Sequence, residues 1–270
     1  MQPTPLDLVI FDWAGTTVDH GCMSPIAPFL AVLAARGVRV EPAVARGPMG
    51  THKRTHLERL CSHPEVLAPW RARFGRAPVA ADVDAMFAEL EPRMIATLPA
   101  FATPVAGCLE TVAALRARGV RIGSTTGYTR RMMDVLGPAA AALGYAPDLV
   151  ITADEVARAR PFPDMCLRNV LALGASSVDR CVKVDDTVAG IEEGRRAGMW
   201  TVGVVMTGNE VGCDAATLAA TSASERARLR RDGAARLKAA GAHVVIDGVA
   251  DLLPALDALG RLGCGTARAA

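Results

Sequence analysis

Apolar positions along the chain fall into two kinds of pattern. Leu8, Val9, Ile10 and Phe11 are consecutive, as expected of a strand buried on both faces of a parallel sheet. From Met23 to Ala100 no strand pattern recurs. Ile26, Phe29, Leu30 and Leu33 repeat instead at helical spacing and predict a helix over residues 25–36, stopped by Gly37. Val83, Phe87, Leu90 and Met94 predict another over 80–98, and the turn Gly47-Pro48-Met49-Gly50 precedes a third that bears Lys53, His56 and Leu57. After Val105 helix and strand alternate, with helices at 109–118, 131–143, 164–173 and 191–197 and strands at 120–125, 149–152, 181–184, 200–205 and 243–246. Such alternation implies an α/β core whose parallel sheet is covered on both sides. The division predicted is a core of residues 1–20 and 101–270 with an inserted helical cap at 21–100. The Arg-rich stretch 222–240 reads as a solvated surface helix, and the Gly/Ala-rich tail after Leu262 as frayed.

Composition narrows the class. Half of the 270 residues are apolar (51%), enough for a large core, and 30 Lys and Arg against 28 Asp and Glu are interspersed. That balance argues against nucleic acid or an anionic membrane as the main partner, and leaves any anion site as a local feature. Seven scattered cysteines (Cys22, Cys61, Cys108, Cys166, Cys181, Cys213, Cys264) form no Cys-x-x-Cys pair, so neither a disulfide framework nor a zinc site is expected. With no signal-peptide pattern and no long apolar run, the expected location is cytoplasmic.

Candidate chemistry gathers at strand ends, where open α/β sheets bind their ligands. Asp12 follows the first strand directly, and Gly15, Thr16 and Thr17 offer a phosphate-binding turn; the plainer alternative is a turn aspartate bonded to its own backbone. Thr125, Thr126 and Gly127 end the second core strand with hydroxyl and N–H donors. Asp185 and Asp186 end the 181–184 strand. Adjacent carboxylates there repel unless a cation joins them, and with no nearby His or Cys the cation expected is Mg²⁺. Strand alternation points the two apart, so one should bind metal directly and the other support it. Lys53 and His56, taken alone, would be an ordinary surface cation and a packing histidine.

The motif Asp12-Trp13-Ala14-Gly15-Thr16 resembles the first motif of the haloacid dehalogenase superfamily. Together with Thr125-Thr126-Gly127-Tyr128 and Gly47-Pro48-Met49-Gly50-Thr51-His52-Lys53, it makes the chain resemble that superfamily's phosphonatase family, from about Leu6 to about Ile246. The resemblance implies a Rossmann-like core with a helical cap, a homodimer, and Mg²⁺-dependent cleavage of the carbon–phosphorus bond of the small molecule phosphonoacetaldehyde. It assigns Asp12 as the phosphorylated nucleophile, Lys53 as the amine forming an imine with the substrate aldehyde, and His56 as a helper in proton transfer. Phosphate and substrate contacts fall to Thr126, Gly127, Arg160, Met49, Gly50, Cys22 and Tyr128. Metal ligands are Asp12, the Ala14 carbonyl and Asp186.

Two departures stand out. Most phosphatases of the superfamily carry a general acid where this chain has Ala14. Losing an acid worth roughly 10²–10⁴-fold disfavours an ordinary phosphate ester, unless the leaving group is activated otherwise. Many members also carry an aspartate where this chain has Gly190, which implies a more open metal site with Asp185 as substitute. Two rival readings remain at this level: another phosphotransferase of the superfamily acting on a phosphate ester, and a non-catalytic phospho-ligand sensor.

Overall fold

A computed structural model describes residues 6–263. Strand β1 (Leu8–Phe11) lies at the centre of the molecule, with all four side chains fully buried. Its alternate residues serve two cores. Leu8 and Ile10 pack with Cys166, Val170 and Met199, whereas Val9 and Phe11 join a larger core with Val112, Leu115 and Leu252. Apolar contact on both faces is what requires an unbroken apolar run, each such side chain contributing about 1.5–3 kcal/mol.

Strands β2 (Arg121–Thr126), β3 (Leu149–Thr152), β4 (Cys181–Asp185), β5 (Trp200–Val204) and β6 (Val244–Ile246) complete a six-stranded sheet of order β3-β2-β1-β4-β5-β6. Every pairing is parallel. The order reverses where β1 lies between β2 and β4, and such a switch point opens a ligand crevice at the carboxyl ends. Phe11 pairs with Ser124 on one side and Val184 on the other. The next residue, Asp12, therefore emerges level with Thr125 and Asp185.

Between β1 and β2 the chain is helical, with α1 (Ile26–Ala34), α2 (Pro42–Arg46), α3 (Lys53–Ser62), α4 (Pro64–Phe74) and α5 (Ala80–Thr97) followed by a 3-10 turn, Leu98–Phe101. This is the inserted cap. Helices α1 and α3 carry the apolar stripes expected of them. Helix α4 escaped prediction because Pro69 sits inside it. Pro64 occupies its permissive first turn and His63 caps it by accepting from the Glu65 N–H at 3.3 Å. Burial of Val66 and Trp70 then outweighs the internal proline. Short α2 had no periodic signal to find.

The core continues with α6 (Cys108–Ala117), α7 (Arg130–Ala142), α8 (Asp164–Leu173), α9 (Val188–Arg196), α10 (Ala215–Ala220), α11 (Ala223–Ala239) and α12 (Leu252–Gly263). Helices α10 and α12 were not foreseen. The second strand runs one residue later than expected, which brings Thr126 into the sheet. No helix among the described residues is long and apolar enough to cross a membrane. The six cysteines among them are all unbridged. Cys264 and the rest of the Gly/Ala-rich tail lie outside the described residues.

Candidate active site

Where β1, β2 and β4 end beneath the cap, a small cavity opens. Asp12, Ala14, Thr126, Gly127 and Arg160 line it from the core, and Cys22, Met49, Gly50 and Lys53 from the cap side, with Tyr128 between them. One lining residue had not been singled out, Thr187. The cap approaches closely here because Gly127 has no side chain. A Cβ at that position would lie 2.7 Å from the Gly50 carbonyl oxygen.

Asp12 Oδ1 accepts from Arg160 Nη2 at 2.7 Å, and both side chains are buried. Arg160 is held on every side. Its Nε donates to Glu193 Oε2 at 2.9 Å, Nη2 reaches the Thr125 carbonyl at 2.7 Å, and Nη1 reaches Gly50 O of the cap at 3.3 Å. Lys183 Nζ donates to the Thr125 hydroxyl at 2.8 Å and lies 2.9 Å from Asp185 Oδ2. Thr125 was expected beside the phosphate donors. Strand alternation instead turns its side chain beneath the cavity, where it joins Glu193, Lys183 and Arg160. Glu193 was not foreseen, since nothing local distinguishes one glutamate on a helix from its neighbour. Arg158, the nearby alternative cation, is exposed and pairs with Asp164 at 2.9 Å.

Asp12, Asp185 and Asp186 offer carboxylate oxygens within 4.8 Å of one another, and all three residues are buried. Their charges are compensated unequally. Burial raises Asp12, and Asp185 adds to this, although Arg160 pulls the other way. Burial also acts to raise Asp185, yet Arg160 and Lys183 hold it below the usual carboxylate range. Asp186 is raised well above that range, by burial first and then by Asp12 and Asp185. The contacts that stabilise its carboxylate are the Thr16 hydroxyl and the Asn209 N–H, each at 2.8 Å. A divalent cation fits this uncompensated carboxylate and the all-oxygen donor set.

The carboxylate cluster is not opened by the missing aspartate at Gly190. A Cβ built on Gly190 would overlap the Asp185 carboxylate, which occupies that space. Asp185 Oδ1 is fixed there by the Thr187 N–H at 3.0 Å and hydroxyl at 2.7 Å, while Thr187 Oγ1 also caps α9. The carboxylate thus enters from the strand end instead of from the helix. Gly190→Asp alone is therefore expected to lose about 1–3 kcal/mol of unfolding free energy in denaturant melts, as overpacked cores do. Adding Asp185→Gly should recover most of that loss. An unimpaired Gly190→Asp single variant would contradict the steric reading.

Lys53 is the first residue of α3, which starts there because His52 caps the helix by accepting from Arg54 N at 3.2 Å. The lysine is 3% exposed and projects into the cavity, with Nζ 4.6 Å from the centre of the Tyr128 ring. Among the described residues, Nζ has no hydrogen-bond acceptor and no carboxylate at ion-pair distance. Burial lowers its pKa from 10.5 to about 8, with Arg160 acting in the same direction and Asp12 against it. The dipole at the start of a helix also disfavours a cation there.

His56 does not line the cavity. It stacks on Phe29, with ring centres 3.9 Å apart, and its Nε2 lies 2.8 Å from the Ala45 carbonyl oxygen. That oxygen can only accept, so Nε2 carries the proton and Nδ1 is a buried acceptor without a partner. Burial first, and then Lys53, push His56 well below its ordinary pKa, so it stays neutral. Tyr128 Oη is 2.8 Å from Ser24 Oγ, and Cys22 is a buried thiol whose pKa burial raises.

A family model described as haloacid dehalogenase-like hydrolase matches residues 6–198. Phosphonoacetaldehyde hydrolase of Nitratidesulfovibrio vulgaris is 47% identical to this chain over 255 residues, covering 94% of the chain and 91% of that protein. The protein of the same name from Salmonella agona is 50% identical over 246 residues, covering 90% and 91%. The crystal structure of a phosphonoacetaldehyde hydrolase-like protein from Oleispira antarctica superposes with a TM-score of 0.95 at 39% identity, covering 98% of this chain and 96% of that one. β-Phosphoglucomutase of Clostridium difficile shares the fold alone, with a TM-score of 0.67 at 14% identity, covering 97% and 100%.

Proposed function

From the premise that the chain belongs to the haloacid dehalogenase-like hydrolases, and within them to the phosphonoacetaldehyde hydrolases, we propose that it cleaves phosphonoacetaldehyde to acetaldehyde and phosphate through a lysine imine and an aspartyl phosphate. One observation carries this reading: a buried lysine with a pKa of about 8 shares a cavity with Asp12 and Arg160, while the general-acid position is Ala14. An acidless site needs a leaving group that departs as something other than an alkoxide, and an imine supplies one.

In this mechanism the free Lys53 amine adds to the aldehyde carbon, and with the uptake of one proton water leaves, giving a protonated imine. Asp12 then attacks phosphorus in line. The electron pair of the breaking carbon–phosphorus bond moves into a carbon–carbon double bond, and the iminium nitrogen takes up electrons to give an enamine. Protonation at carbon and addition of water release acetaldehyde and restore Lys53. A second water hydrolyses the aspartyl phosphate. Arg160, Thr126 and Gly127 hold the phosphoryl oxygens, which requires Arg160 to exchange part of its contact with Asp12 for the substrate. Met49, Gly50, Cys22 and Tyr128 enclose the aldehyde end, and His56, outside the cavity and one turn after Lys53 on α3, offers its unpartnered Nδ1 as a proton acceptor. Residues 21–100 act as the cap that excludes water, over a core of 1–20 and 101–270.

Asp12, the Ala14 carbonyl and Asp186 would hold the divalent ion, Mg²⁺ on this reading, and a bound ion would supply positive charge to the phosphoryl oxygens. The decisive assay is phosphate release from phosphonoacetaldehyde with and without Mg²⁺, beside a panel of phosphate esters. Release from esters but not from the phosphonate would favour a different phosphotransferase, and release from neither would favour a sensor. Asp186→Ala should weaken Mg²⁺ binding strongly, whereas Asp185→Ala should weaken it less, because Asp185 is already neutralised by Arg160 and Lys183. If calorimetric titration with Mg²⁺ gives the opposite order, Asp185 is the direct ligand.

A further inference from the structure

Arg46, the last residue of α2, stands outside the cavity and makes contacts that no local role of a helix-end arginine requires. Its Nη1 donates to Gly21 O at 2.9 Å and Cys22 O at 3.2 Å, in the segment where the chain leaves the core for the cap. Nη1 also reaches Asn209 Oδ1 at 3.3 Å and Nη2 reaches Gly212 O at 3.0 Å, both in the loop after β5. Asn209 Nδ2 returns a bond to Arg46 O at 3.4 Å. The same Asn209 gives its backbone N–H to Asp186 Oδ2. Arg46 also precedes the loop that brings Met49 and Gly50 into the cavity. One short path of hydrogen bonds therefore joins the cap to the carboxylate with the least compensated charge.

We propose that Arg46 and Asn209 are positioning residues that latch the cap onto the loop after β5 and thereby hold Asp186 in the orientation that receives the metal. This rests on the reading of Asp186 as a metal ligand. A guanidinium suits the role because its planar fork satisfies several fixed carbonyls at once, which an ammonium cannot do. Linkage then makes the effect reciprocal: metal binding favours the latched cap as much as the latch favours metal binding.

The test uses the full chain, with Mg²⁺ alone as the probe in calorimetry and amide hydrogen exchange read by mass spectrometry on the metal-free protein. Arg46→Met and Asn209→Ala should each weaken Mg²⁺ binding by roughly tenfold, the loss typical of a hydrogen bond to a charged group. Asn209→Ala keeps the backbone N–H to Asp186, so it isolates the side-chain latch. Exchange should rise at both 44–52 and 207–213 in either variant, and the double variant should be no worse than the weaker single one, because both break the same path. Arg46→Lys should fall between Arg46→Met and the unaltered protein. Unchanged exchange at 207–213 in Arg46→Met, faster exchange without loss of Mg²⁺ affinity, or fully additive losses would overturn the latch. If Asp186→Ala binds Mg²⁺ as well as the unaltered protein, the metal reading fails, and the exchange measurement still decides whether the latch exists.

Discussion

Replacing Lys53 by arginine is expected to lower phosphate release from phosphonoacetaldehyde by roughly 10³-fold or more, because the guanidinium stays protonated and forms no competent imine. Magnesium binding should survive, since Lys53 touches none of the three clustered carboxylates. Burial makes the amine usable. With a pKa of about 8, roughly a tenth of it is unprotonated at pH 7, against ~0.03% for an amine left at 10.5. The rate should therefore rise about tenfold per pH unit up to pH 8 and level off above it. Borohydride added with the aldehyde should trap one reduced adduct on the peptide carrying Lys53. An adduct on Lys183 or Lys238, or full activity in Lys53→Arg, would refute the imine.

The same burial has an energetic signature. The folded chain binds the Lys53 proton more weakly than the unfolded chain does, so the lysine destabilises the fold below pH 8, and this cost fades as pH rises through 8 toward 10.5. Lys53→Met fills a similar volume without a charge. At pH 7 it should be inactive yet more stable, by up to about 3 kcal/mol on this linkage, with the gain shrinking at pH 10. A variant no more stable than its parent at pH 7 would mean that Lys53 is well solvated.

Asp12→Asn is expected to fold and to lose roughly 10⁴-fold or more of turnover, because an amide is a far weaker nucleophile than a carboxylate. The fold should tolerate the change. Arg160 keeps Asp185, Glu193 and the Thr125 carbonyl as partners, and the amide oxygen can still accept from Nη2. Removing one carboxylate also relieves repulsion on Asp186, where Asp12 is a raising influence. A correctly folded variant that still released phosphate briskly would remove Asp12 from the role of nucleophile.

The patterns that could be read from the chain are those set by neighbours a few positions apart. An apolar run such as Leu8–Phe11 has one sensible home, between two helical layers, and that places Asp12, Thr126 and Asp186 at the carboxyl ends of adjacent strands. The helical block before β2 was legible by the same logic, because its periodicity is 3.6 and never 2. Where propensity and packing disagree, as at Pro69 in α4, local reading failed, since only buried Val66 and Trp70 justify the helix.

What the sequence by itself determined is therefore the layered fold, the strand-end carboxylates and, through the Asp12, Lys53 and Thr126 motifs, the family. The tertiary structure alone decided that the carboxylate of Asp185 fills the room left by Gly190, that Glu193 and Thr187 support the site, and that Arg46 reaches Asn209. It also decided that His56 packs on Phe29 instead of facing the cavity. The reason is physical. Asp12 and Arg160 are 148 positions apart, and Arg46 and Asn209 are 163 apart, so no local pattern records either contact. Burial is likewise a property of everything folded around a group. The amine of Lys53 loses its solvent and its ordinary pKa only when a cap and a core, each ordinary in its own segment, close on it together.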